Sequence, residues 1–93
     1  MVKIYTTSWC PSCIAAKKLF DSLQIEYQEI NIEKENISRQ YLVDIAGGYS
    51  VPQIIINNQC IGGYTDLLSL HQNNKLNKIL NEKWDKSILF KSF

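Results

Sequence analysis

No charge of either sign is in excess in this 93-residue chain: ten Lys and Arg stand against nine Asp and Glu, for a net charge of +1. That balance excludes the electrostatic footprint expected of a nucleic-acid or anionic-membrane binder. Long apolar runs are missing too. Stretches such as Ile54-Ile55-Ile56 are far too short to cross a bilayer. Met1-Val2-Lys3-Ile4 runs straight into strand-like sequence, without the charged-then-apolar pattern of a secretory leader, so a cytoplasmic protein is expected. Glycine (four) and proline (two) are sparse, and no repeat or low-complexity tract precedes about residue 81. Cysteine is scarce and odd in number, at three. A structural disulfide framework would want an even count and wider loops. Zinc would need two ligands beyond the close pair, and only Cys60 and His71 are on offer, singly spaced, so no metal is expected.

What remains is an ordinary globular composition, 45% hydrophobic and 20% charged, in a length suited to one modest core. Val2 to Thr6 alternates apolar and polar residues and predicts a strand. Pro11 suits a helix's first turn, and Cys13, Ala16, Phe20 and Leu23 keep helical spacing, predicting a helix over 11–23. Ile25 to Ile32 predicts a second strand, parallel to the first because a helix connects them. Ile37, Tyr41, Leu42 and Ile45 define another helical face, stopped by Gly47-Gly48. Val51 to Ile56 and Gln59 to Ile61 predict a hairpin turning at Asn57-Asn58. One or two closing helices follow, interrupted at Asn73-Asn74. The order implies a thioredoxin-like α/β fold, a four-stranded mixed sheet with helices on both faces, over residues 1–81. The apolar extension 82–93, with Trp84, Ile88, Leu89, Phe90 and Phe93, is expected to pack back on the domain. Cys60 is expected as a small buried or half-exposed apolar residue, and His71 on the outer face of the third helix without a role.

Trp9-Cys10-Pro11-Ser12-Cys13 carries the chemistry. It falls between a strand and the opening of a helix, where unpaired backbone N–H groups and the helix dipole favour a thiolate on the first sulfur. Cys10 is therefore expected to attack and Cys13, one turn on, to resolve. Half of a metal site and two buried structural thiols are the rival readings of such a pair. The strand-to-helix position after a tryptophan favours redox chemistry. Ser50-Val51-Pro52 precedes the third predicted strand, and a cis peptide there would expose the Val51 backbone beside the thiols to an extended, peptide-like substrate.

Tyr5-Thr6 through Cys10-Pro-Ser-Cys13, Ala16-Lys17, Ser50-Val51-Pro52-Gln53 and Ile61-Gly-Gly-Tyr-Thr-Asp-Leu67 occur in the order and spacing of a glutaredoxin, which the chain resembles over about residues 1–81. The resemblance implies a glutathione-dependent thiol–disulfide oxidoreductase. Its glutathione site would comprise Arg39, Ser50, Val51, Pro52, Gly63, Tyr64, Thr65 and Asp66, with Trp9, Pro11 and Ser12 shaping the active site. Val51 would pair with the cysteinyl backbone of glutathione. Gly63 and Thr65 at a helix start would meet the γ-glutamyl carboxylate, and Asp66 its ammonium. Arg39, the chain's only arginine, would grip the glycine carboxylate. Two positions depart from the family pattern: Thr7 replaces the usual lysine, and Ser12 the usual tyrosine between the cysteines.

The resemblance further implies glutathione as co-substrate, glutathionylated or disulfide-bonded protein clients, indirect service by glutathione reductase, and a monomer. Two rivals follow the same site. One is a redoxin served by thioredoxin reductase, against which Arg39 and the Gly-Gly-x-Thr-Asp segment speak. The other is an iron–sulfur carrier of two chains bridged through Cys10 and glutathione, against which Pro11 speaks.

Overall fold

The computed structural model describes residues 1–81; the expectation for 82–93 lies outside them. Strand β1 (Val2–Thr6) leads into helix α1 (Pro11–Ser22), and β2 (Gln28–Asn31) into α2 (Arg39–Ala46). The hairpin β3 (Gln53–Ile56) and β4 (Gln59–Gly62) follows, then α3 (Tyr64–Gln72) and α4 (Leu76–Asn81). The strands lie in the order β2-β1-β3-β4, with β1 parallel to β2 and both other pairings antiparallel. None of the described helices is long and apolar enough to cross a membrane.

The alternation of β1 divides the core. Val2 and Ile4, with Ile54 and Ile56 of β3, face Ala16 and Phe20 of α1, Leu67 of α3 and Leu76 and Ile79 of α4. Tyr5 faces the other way, against Leu42 of α2 and Ile32. A one-residue slip would exchange these faces, so two-sided burial fixes the register.

Helix ends account for the differences from the sequence expectations. Helix α1 ends in a Schellman motif without glycine: Gln24 takes φ +58°, its N–H donates to Asp21, and the Ile25 N–H donates to Phe20 at 2.9 Å. This ties Ile25 to the helix, and β2 starts at Gln28 rather than at Ile25. Helix α3 closes the same way through Asn74 (φ +59°), with Lys75 N–H donating to Leu70. The Asn57-Asn58 turn takes left-handed φ at both positions (+50° and +69°), as a two-residue type I′ hairpin requires. The Asn57 side chain also donates to the Ile79 and Leu80 carbonyls, tying the hairpin to α4. Strand β3 begins at Gln53, two residues later than expected, because Pro52 has no N–H to give the ladder; Val51-Pro52, a cis peptide, lies before it.

Two minor expectations are corrected. Cys60 is exposed rather than buried or half-exposed, because β4 is an edge strand and α2 ends at Ala46; its thiol lies 3.3 Å from the Ile45 carbonyl. His71 is half-buried in a recess lined by Leu23, Ile25 and Leu76, not on an outer face.

A left-handed conformation costs a non-glycine residue about 1–2 kcal/mol, part of which glycine returns as unfolded-chain entropy. Gln24→Gly should therefore stabilise the fold by about 0.5–1 kcal/mol. A raised urea midpoint at unchanged slope is the expected result, and a lowered midpoint contradicts it.

Candidate active site

Cys10 caps α1. Its backbone is extended (φ −153°, ψ 97°), and its sulfur accepts the Cys13 N–H at 3.0 Å. Pro11 occupies the first helical position, where its missing N–H leaves no bond unmade. Cys10 and Cys13 form a disulfide, with Cα atoms 5.1 Å apart. Both cysteines are buried, Cys13 at 1% exposure and Cys10 at 7%, so Cys10 is the more accessible of the two. Ser12 and Pro11 are exposed, and Trp9 is 93% exposed, covering neither sulfur.

The other sequence-selected residues gather around this sulfur. Cys10 Sγ lies 3.7 Å from the Val51 carbonyl oxygen, on the residue preceding the cis-proline. Gln53 holds that turn from within, donating through Nε2 to the Ser50 carbonyl at 3.0 Å. Gly63 caps α3 against the same turn, since a Cβ added there would stand 3.6 Å from the Pro52 carbonyl oxygen. Asp66 folds back so that Oδ2 accepts the Gly63 N–H at 3.0 Å, which is half of a capping box. Gly62, at φ +110°, leaves the space that this carboxylate fills; a Cβ there would overlap Asp66. Tyr64 and Thr65 form the first turn of α3, Tyr64 half-buried and Thr65 exposed.

Arg39 opens α2, just after the Ser38 cap, and its guanidinium donates to the Tyr49 carbonyl. That bond fastens α2 to the loop leading into Val51. One bond leaves the rest of the guanidinium fork able to meet a carboxylate. Three segments thus converge, 8–13, 49–52 and 63–66, with Arg39 attached at Tyr49.

Lys17 lies one turn beyond Cys13 but carries no free charge toward Cys10. Its ammonium is 3.0 Å from Glu29 Oε2, the oxygen that also accepts the Thr6 hydroxyl at 2.8 Å. Lys17 therefore does not replace the lysine that Thr7 lacks. Burial pushes the Glu29 carboxyl up, but the Thr6 and Lys17 hydrogen bonds and the nearby Lys17 and Lys34 charges outweigh it and hold it below its ordinary value.

Sequence reading missed Asn31, Glu33 and Tyr49. The Ser8 N–H donates to Glu33 Oε1 at 3.1 Å, and Asn31 Oδ1 accepts the N–H groups of Glu33 and Lys34. An asparagine at the end of a strand signals such a turn. Nothing in the sequence marks the Tyr49 carbonyl.

A four-stranded mixed sheet, a disulfide across the first turn of α1 and a cis-proline facing the sulfur together define a thiol–disulfide oxidoreductase of thioredoxin-like fold. Comparison with known proteins narrows that class. The Glutaredoxin family model matches residues 2–61. Glutaredoxin of Pseudomonas aeruginosa is 41% identical over 80 residues, 86% of this chain and 95% of that protein. Glutaredoxin 3 of Escherichia coli is 38% identical over 79 residues, 85% of this chain and 95% of its own. The crystal structure of a buckwheat glutaredoxin–glutathione complex superposes with a TM-score of 0.79 at 29% identity, covering 88% of this chain and 77% of that one. The chain belongs to the glutaredoxin family, and its close cysteine pair is that of an oxidoreductase. Glutathione-dependent thiol–disulfide exchange is consistent with that membership.

Because Glu29 titrates lower folded than unfolded, its stabilisation is present above the ordinary carboxyl value of 4.5 and is lost as pH falls through the folded value. Half-exposure of both partners, with side chains 28% and 35% accessible, limits the pair to roughly 1 kcal/mol. Glu29→Gln should thus lower stability slightly at neutral pH and make the acid-side decline shallower. Parallel wild-type and variant curves below pH 4.5 would show that the pair contributes nothing.

Proposed function

We propose that the protein reduces glutathione mixed disulfides, and disulfides of client proteins, with Cys10 as the attacking thiol and glutathione as the electron donor. The observation that carries this is the position of Cys10 Sγ, 3.0 Å from the Cys13 N–H and 3.7 Å from the Val51 carbonyl, with the start of α3 against the same turn.

In the reduced protein the Cys13 N–H that meets Cys10 Sγ is placed to stabilise a thiolate, and the helix dipole adds to it. The thiolate attacks the glutathionyl sulfur of a mixed disulfide in line. The client sulfur leaves as a thiolate and takes a proton, and a Cys10–glutathione disulfide remains. A second glutathione thiolate then attacks that adduct's glutathionyl sulfur, releasing oxidised glutathione and restoring the Cys10 thiolate. With a protein disulfide, Cys10 attacks one client sulfur and frees the other as a thiol. Cys13 then closes on Cys10 and expels the second client thiol, and two glutathione thiols in turn reopen the Cys10–Cys13 disulfide and leave as oxidised glutathione. The mixed-disulfide route therefore consumes one glutathione, the other half of the oxidised product coming from the client, and the protein-disulfide route consumes two.

Each charged end of glutathione has a complement here. The Val51 backbone beside the cis-proline would pair with the cysteinyl backbone. The first turn of α3 at Gly63, Tyr64 and Thr65 would take the γ-glutamyl carboxylate. Asp66 uses Oδ2 for Gly63, leaving Oδ1 for the ammonium. Arg39, oriented by Tyr49, would grip the glycine carboxylate. A monomer acting in the cytoplasm, its oxidised glutathione recycled by glutathione reductase, completes the reading. A reducing compartment suits a close cysteine pair with one further exposed thiol.

The test is reduction of a glutathionylated peptide by glutathione, coupled to glutathione reductase. Cys10→Ser should be inactive, while Cys13→Ser should keep activity on the mixed disulfide and lose it on protein disulfides. Arg39→Ala removes one charge-assisted contact and should raise KM for the glutathionylated substrate about tenfold with a smaller change in kcat. Turnover with thioredoxin reductase but not with glutathione, or an unchanged KM for Arg39→Ala, would contradict these assignments.

A further inference from the structure

The segment that delivers Cys10 to its cap has little to hold it. Thr6 is the last residue of β1 and Pro11 the first of α1. Between them the Trp9 ring is 93% exposed and adds little packing to the approach to Cys10. Two polar contacts hold Ser8 instead: its N–H donates to Glu33 Oε1 at 3.1 Å, and the Asn31 amide lies 3.4 Å from its hydroxyl. The acceptor comes from a rigid place. The Asn31 side chain ties down the Glu33 and Lys34 N–H groups, Ile32 N–H continues the ladder to the Thr6 carbonyl at 2.9 Å, and Ile37 N–H closes the turn on Ile32. Glu33 is thereby built on the end of the sheet while its carboxylate reaches across to the Ser8 segment.

We propose that Glu33 is a positioning residue for Cys10: its carboxylate oxygen, by accepting the Ser8 N–H, holds the 7–9 segment so that the Cys10 sulfur stays against the Cys13 N–H and the Val51 carbonyl. This rests on the reading of Cys10 as the attacking thiol. The electrostatics of the clasp agree with the geometry. The Ser8 backbone N–H first and then the Ser8 side chain lower the Glu33 carboxyl, outweighing an opposing effect of burial, and the Arg39 charge lowers it further, so it remains an ionised acceptor at neutral pH. Arg39 is also the residue fastened to the Tyr49 carbonyl, in the loop that leads to Val51. Glu33 and Arg39 therefore each secure one of the two loops that meet at Cys10. The role is that of an acceptor at a fixed distance, and it does not depend on the carboxylate's charge at the sulfur.

That distinction makes the proposal testable with three variants. Glu33→Gln keeps an oxygen at the same reach without the charge. Glu33→Asp keeps the charge but falls short by one methylene, and Glu33→Ala keeps neither. The measurement is the rate of Cys10 alkylation by iodoacetamide at pH 7 in the reduced Cys13→Ser, Cys60→Ser background, with the thermal midpoint recorded for each variant. Alkylation needs no glutathione, so it reads Cys10 even if the glutathione-site assignments fail. Loss of one such hydrogen bond should slow Glu33→Ala and Glu33→Asp by about threefold to tenfold, with Glu33→Gln at half the parent rate or better. Equal slowing of Gln and Ala, or an Asp variant as fast as the parent, would assign the effect to charge and overturn the proposal. Equal rates in all four proteins would overturn it as well.

Discussion

Everything in this molecule that bears on function depends on one contact: the Cys10 sulfur lies where a free N–H in the first turn of α1 points, 3.0 Å from Cys13 N. A helix leaves its first N–H groups without partners, and most helices fill that need with a serine, threonine or aspartate oxygen. Here a sulfur takes the place of the oxygen. The group that would otherwise only stabilise a helix end becomes, in the proposed mechanism, the group that stabilises a thiolate. Capping and reactivity are the same interaction viewed from the backbone and from the side chain.

The rest of the fold keeps that contact in register with a second one, the approach of Sγ to the Val51 carbonyl at 3.7 Å. The two sulfur-facing loops lie at the ends of adjacent strands, since β1 and β3 pair directly through Ile4 and Ile54. Burial of Ile4, Ile54, Phe20 and Leu67 on one face and of Tyr5 and Leu42 on the other fixes how those strands pass each other. A residue's slip would turn both faces inside out, so the core indirectly sets the distance between the Cys10 sulfur and the Val51 backbone. Helix α3 is brought to the same place by the hairpin, and its capping carboxylate, Asp66, stays there because Gly62 leaves it room.

Much of this was legible in the sequence because the determining patterns are local. Pro11 after Cys10, the spacing of Ala16 and Phe20, the stop at Gly47 and the Asn57-Asn58 turn each carry their own stereochemical reason, and each lies in the structure where that reason places it. The cis peptide at Val51-Pro52 was anticipated only as a condition, since proline permits the cis form without requiring it. What escaped reading were features set by partners far along the chain or by unusual residues in standard roles. Gln24 does a glycine's work at the end of α1, so β2 looked longer than it is. The exposure of Cys60 follows from strand order and the shortness of α2, which no pattern around residue 60 records. The pairing of Lys17 with Glu29 joins a helix to a strand twelve residues on, and only the fold shows that its charge is already used. Arg39 was selected by resemblance, but its attachment to the Tyr49 carbonyl is a property of the folded chain.

The most direct test of the central claim is to trap the intermediate. Reduced Cys13→Ser protein mixed with oxidised glutathione, quenched with acid and mapped by peptide mass spectrometry should carry one glutathione per chain, on Cys10, and excess reduced glutathione should remove it. A chain that stays unmodified, or one that takes glutathione on the exposed Cys60 in preference to Cys10, would contradict the account.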